Sequence, residues 1–147
     1  MPTANDFPAH GKILSVRAGV AIFNPANTNY EIHLSVPPDF TGPLNTPVQV
    51  IIHVTARKVW TVPSGGNFVA PIFGPPKIIQ GRLRHASDTE LIVHAGTTFA
   101  VKLDPQQTAI ELPDGAMSIL NNLINITALP GATLELLSAR SSATSVA

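Results

Sequence analysis

The chain has 147 residues, with nine basic and nine acidic side chains, a formal net charge of zero and only 12% charged residues. It has no cysteine, which excludes disulfides, thiolate metal sites and cysteine nucleophiles. The length suits one domain with its own core, and no apolar run approaches the roughly 18 residues that a membrane-spanning helix needs.

Residues 1–10 contain neither a basic nor an apolar block of the signal-peptide kind, so a flexible N-terminus and a cytoplasmic location are the default expectation. From residue 11 to 138 one β domain is expected. Apolar and polar residues alternate with period two, the mark of half-buried strands, over 12–23, 28–36, 48–62, 77–85, 90–95, 98–103, 108–112 and 133–137. The longest run puts Val48, Val50, Ile52, Val54, Ala56, Trp60 and Val62 on the inner face. Gln49, His53, Thr55, Arg57 and Thr61 then lie outside, with Lys58 the exception on the inner face. Asn24-Pro25, Pro37-Pro38-Asp39, Thr41-Gly42-Pro43 and Asp104-Pro105 supply the turns.

The segment 63–76 interrupts this pattern. It is rich in Gly and Pro and holds Phe68, Val69, Ile72 and Phe73, so an apolar projection pairing back on 59–62 is expected, with those four residues touching a partner. The competing expectation is that it folds over a barrel end and plugs it. Further on, Ala116, Ile119, Leu120, Leu123 and Ile124 recur at helical spacing, which predicts a short helix near 115–126. Asp114 caps its start and Pro130-Gly131 follows its end. Residues 139–147, mostly Ser, Ala and Thr, read as a disordered tail. Asn125-Ile126-Thr127 fits the glycosylation pattern, as chance alone allows.

Strands without crossover helices predict antiparallel pairing. The fold class is therefore mainly β: a small antiparallel β-barrel-like domain, in the general style of OB and SH3-like barrels, with one short C-terminal helix. A β-sandwich is the alternative. Two stretches echo each other, 14–19 with 91–96 and then 23–31 with 103–111. Each reads strand, glycine, strand, Pro turn, strand, which fits two related hairpins.

Charge is unevenly spread. Residues 40–87 hold Arg57, Lys58, Lys77, Arg82 and Arg84 and no acid, a formal charge of +5. Arg57, Lys77, Arg82 and Arg84 are the candidate anion-binding residues. An Arg84–Glu90 pair across a hairpin is the plain alternative for the last of them. Motifs for nucleophilic, phosphate-binding and zinc-dependent catalysis are absent. His10, His33, His53, His85 and His94 never fall two, three or four residues apart, so neither a metal nor another cofactor is expected. The chain reads as a non-enzymatic binding or assembly module. Its low charge favours self-association or another protein subunit as partner. The alternative is a nucleic-acid or other polyanion-binding barrel using Arg57, Arg82 and Arg84.

Overall fold

The computed structural model describes residues 6–62, 65–87, 89–111 and 122–139. Within them the chain forms β1 (Ala9–Arg17), β2 (Val20–Pro25), β3 (Glu31–Ser35), β4 (Pro47–Thr61), β5 (Phe68–Ala70) and β6 (Phe73–Gly74). These are followed by β7 (Ile78–Ala86), β8 (Glu90–His94), β9 (Thr98–Lys102), β10 (Ala109–Glu111), β11 (Leu123–Ala128) and β12 (Thr133–Ala139). All belong to one mixed sheet.

The long strand β4 organises the rest. Along one edge it pairs successively with β1, β9 and β10, and along the other with β12 and β11. Its hydrogen-bonding groups are thus used on both sides. The pairings close two circuits through β4, one running β4–β1–β2–β3–β12 and the other β4–β11–β7–β8–β9. The first is pinched where β3 meets β12, at the single pair Ser35 and Thr133.

Inward side chains of both circuits form one apolar core. Ile13, Phe23, Ile32, Leu34 and Ile52 fill the first; Val59, Ile79, Leu83, Phe99 and Ile126 fill the second. Burial of each large aliphatic or aromatic side chain contributes about 1.5–3 kcal/mol. A smaller outer cluster of Ile51, Ile92 and Ala100 is covered by Phe7 and Leu137. Phe7 also stacks on His85, with ring centroids 5.8 Å apart. The N-terminal stretch is therefore docked from Phe7 onward, and β1 begins at Ala9, inside the part expected to be flexible.

Several expectations are corrected. The pairing is mixed, because β9 and β10 run parallel to β4 and β12 runs parallel to β3. The chain reaches β9 only after passing through β5, β7 and β8, a connection long enough for parallel pairing. The helix expected near 115–126 is not formed over 122–126, where Leu123–Ala128 is β11 instead; residues 112–121 lie outside the described residues. Ile124 and Ile126 point inward at 0% exposure between the outward Asn125 and Thr127. The β-branched residues thus follow a period of two, and pairing with both β4 and β7 outweighs the helical spacing. Asn125 is only 7% exposed in the middle of that sheet, which removes it as a glycosylation acceptor. The tail after Ala139 also lies outside the described residues.

The echo between the two stretches holds only for their hairpins. β1 pairs with β2 and β8 with β9. The third strands diverge, since β3 returns to β2 whereas β10 pairs with β4. The threonine after each Pro turn is used differently. Thr28 Oγ1 donates to the Pro25 carbonyl at 2.9 Å, and Thr108 Oγ1 donates to the Ala56 carbonyl at 2.6 Å while accepting from the Asp104 amide.

Candidate functional site

The segment expected to project from the domain instead stitches its two circuits together. Phe68–Ala70 pairs antiparallel with Ile78–Gln80 of β7, and Phe73–Gly74 pairs parallel with Glu31–Ile32 of β3. The Glu31 amide donates to the Ile72 carbonyl at 2.9 Å. The Tyr30 hydroxyl accepts from the Val69 amide at 3.4 Å, capping the edge of β5 that faces away from β7. Neither the back-pairing on 59–62 nor a simple plug describes this. The segment finds two strand edges to complete, and both lie elsewhere in the sheet.

That placement sorts the four expected contact residues. Val69 is 2% exposed and belongs to the core, facing Ile79 inside. Phe68, Ile72 and Phe73 face solvent, Phe73 with 64% of its surface exposed. Ile78 joins them from the neighbouring strand, at the same outward parity as Phe68. Of the six large apolar side chains exposed among the described residues, these four fall within eleven positions of the chain. Residues 59–76, which hold the first three, contain no ionisable side chain; Lys77 directly precedes Ile78. The sequence pattern missed Ile78, because strand parity alone does not tell which edge β5 covers.

The basic residues do not form one stripe. Lys58, Thr127 and Ile78 stand in register across β4, β11 and β7, which puts Arg57 and Lys77 at the same end of the sheet. Arg82 lies four residues beyond Ile78, about 13 Å away along the strand. Arg57 is separated from it by a further two strands, about 10 Å across. Arg82 sits directly opposite His94. Arg84 is the extra residue of a bulge between Leu83 and His85, so it does not face Glu90, whose partner across β8–β9 is Lys102. The bulge explains the failed Arg84–Glu90 pair: one inserted residue shifts the register before the strand reaches the turn.

A second bulge decides where Trp60 points. In β11 the register with β4 steps from Thr127–Lys58 to Ala128–Ala56, leaving Arg57 unpaired. Parity reverses there. Val59 becomes fully buried, and Lys58 and Trp60 move to the outer face with Lys58 Nζ 5.1 Å from the ring centre. The inward placement read from simple alternation is thereby overturned for both residues.

Two shallow grooves open where parts of the two circuits meet. One, of about 510 Å³, is lined by His53, Thr55, Glu90, Lys102 and Thr133 among others. Its charges compensate locally: Glu90 faces Lys102, and His53 Nε2 lies 2.8 Å from Glu135 Oε1. The other, of about 470 Å³, is lined by His10, Asn27, Thr28, His94, Gly96 and Thr98 among others and by no carboxylate. Burial, and then the charge of Arg84, hold the proton affinity of His94 below its ordinary value. His94 Nδ1 is 3.3 Å from Thr98 Oγ1. Among the described residues no three His, Asp or Glu side chains converge as a metal site would require. No helix among them is long and apolar enough to cross a membrane.

No protein-family model, curated protein or solved structure matches the chain.

Proposed function

We propose that the protein is a non-enzymatic, barrel-like assembly module that associates with a second copy of itself through the surface formed by Phe68, Ile72, Phe73 and Ile78. The observation that carries this reading is the exposure of three of these side chains on an uncharged strap and of Ile78 on the adjoining strand β7, with Phe73 the most exposed. Water contact of clustered apolar surface is unfavourable, and such clusters mark contact sites. The occupant is a second copy because the strap offers nothing for charge complementarity. Residues 59–76 carry no ionisable group, so charge at the surface is confined to its margin, where Lys77 adjoins Ile78. The zero net charge of the whole chain removes the long-range repulsion that keeps charged domains apart.

Sedimentation of the full chain across a concentration series tests this. A concentration-dependent shift to twice 15.5 kDa is expected, abolished by Phe73→Asp. Phe73 is mostly exposed, so the variant keeps its fold, which circular dichroism checks. A protein that stays monomeric at high concentration overturns the reading.

A further inference from the structure

The apolar strap carries no charge of its own, yet opposite charges reach its margin from two directions. On one side Glu31 stands in register with Phe73, and the next pair sets Ile32 beside Gly74. Ile32 and Leu34 are the inward residues of β3, at 0% and 1% exposure. Glu31 therefore shares the outer face with Phe73, because side chains of directly paired residues project to the same side. On the other side Lys77 directly precedes Ile78 and is exposed. Its amide donates to the Ala70 carbonyl at 2.9 Å, which fixes it beside the end of β5. Among the described residues neither Glu31 nor Lys77 makes an ion pair.

We infer that self-association is two-fold, with Lys77 of each copy set against Glu31 of the other at the rim of the apolar contact. This arrangement presupposes that Phe68, Ile72, Phe73 and Ile78 join two copies, as proposed. A two-fold contact brings one patch against itself, so every cross-contact occurs twice with its members exchanged. A surface with an acid at one margin and a base at another is self-complementary under that symmetry. Apolar burial supplies affinity without direction, whereas charges at the rim select the register. A register that set Lys77 against Lys77, or Glu31 against Glu31, would bring like charges together. Exposed ion pairs are individually weak, so reversing a charge reports on the arrangement more sharply than removing one.

The test is sedimentation of the full chain beside two single reversals, Lys77→Glu and Glu31→Lys. Each variant alone places like charges at both rim contacts, and its dissociation constant should rise about tenfold or more. An equimolar mixture of the two should associate at least as tightly as the native chain, because one copy then carries two acids at the rim and the other two bases. Arg17→Glu makes the same change of charge at the exposed end of the β1–β2 hairpin and should leave association unchanged. Native dimers that the single reversals leave intact, or that mixing does not rescue, overturn the two-fold arrangement while the apolar contact stands. So does an equal loss on Arg17→Glu, which would reveal net charge alone. A native chain that stays monomeric overturns the apolar contact, and this arrangement with it. Circular dichroism establishes that each variant is folded. Should Glu31→Lys fail to fold, Glu31→Gln takes its place, since it removes the repulsion and still draws Lys77→Glu into mixed dimers.

Discussion

Lys58 Nζ lies 5.1 Å from the centre of the Trp60 ring, on the outer face of β4. Residues two apart on a strand share a face, so this contact requires both to point out, and the bulge at Arg57 makes that so. Trp60 is the only tryptophan in the chain, which makes its environment measurable. Its emission should be readily quenched by acrylamide, and Lys58→Ala should change the emission while costing less than about 1 kcal/mol of stability, the usual size of an exposed cation–π contact. A shielded, unquenchable indole would restore the inward placement.

The β1–β2 hairpin turns on Ala18 and Gly19, which have φ of 53° and 76°. Arg17 faces Val20 across the turn, so the two residues are the centre of a two-residue hairpin loop, where positive φ at both positions is the primed type I pattern. Gly19 meets that need without strain. Ala18 does not, since a Cβ in the left-handed region costs roughly 1 kcal/mol. Ala18→Asn should therefore stabilise the protein by about 0.5–1 kcal/mol, read as a raised urea midpoint with an unchanged slope.

Gly81 is demanded by packing. A Cβ there would collide with the His94 carbonyl oxygen and lie 2.8 Å from Ala95 Cβ. Backbone cannot swing aside as a side chain can, so Gly81→Ala should separate β7 from β8 and cost at least about 1–3 kcal/mol, the overpacking range. Gly66, with nothing within 4 Å of a built Cβ, is the control: Gly66→Ala should leave stability within about 0.5 kcal/mol. Equal effects at the two positions would contradict the close approach at Gly81.

These positions show what local pattern conveys and what it omits. The period of two found β1, β4, β7, β8 and β9 because each turns alternate residues into the core, and such a face writes itself into alternation even where Ile51, Ile92 and Ala100 are covered on the other side. It failed at Lys58, Trp60 and Arg84 because a bulge inserts one residue without changing composition, and every assignment beyond it reverses. The helical spacing of Leu120, Leu123 and Ile124 misled because Ile124 also belongs to a period-two pair with Ile126, and that pair is what the core takes up. The decision belonged to β4 and β7, which flank β11 and are remote in sequence. The apolar strap was recognisable from Phe68, Ile72 and Phe73. Its second role, completing the edges of β3 and β7, depends on strand order that no local signal carries. The anion-binding candidates divided for the same reason: parity gave Arg57 and Arg82 a common side, whereas register put them at opposite ends.

Phe7 is the anchor of the N-terminal residues. It covers Ile51, Ile92 and Ala100 and stacks on His85, bridging β4, β7, β8 and β9. Phe7→Ala exposes that small outer cluster, and since the ring is only partly buried the cost should fall below the 3–5 kcal/mol of a full core truncation, at about 1–3 kcal/mol. Amide exchange gives the sharper reading. Protection should fall for residues near Ile92 and Ala100 and stay unchanged around Phe23 and Ile32, which belong to the other circuit. Uniform loss across both circuits would show that Phe7 holds the whole fold.

His94 makes stability depend on pH in a definite direction. Burial, and secondarily Arg84, lower its folded-state proton affinity from the ordinary value of 6.5. Arg82 stands opposite it, Thr98 is in contact and His10 shares the groove wall. Between the lowered folded value and 6.5 the unfolded chain binds more protons than the folded one, so stability rises with pH through that window. It is fully present above about 6.5 and is lost as pH falls toward the folded value, where His94 must charge in its partly buried place against the charge of Arg84. Acid acts on the rest of the chain as well, so the comparison must be a difference. The drop in urea midpoint between pH 7 and pH 5.5 should be smaller in His94→Asn than in the native chain. Arg84→Gln should shrink it as well, by relieving the repulsion while leaving burial in place. An equal drop in all three proteins would mean that His94 titrates alike in both states.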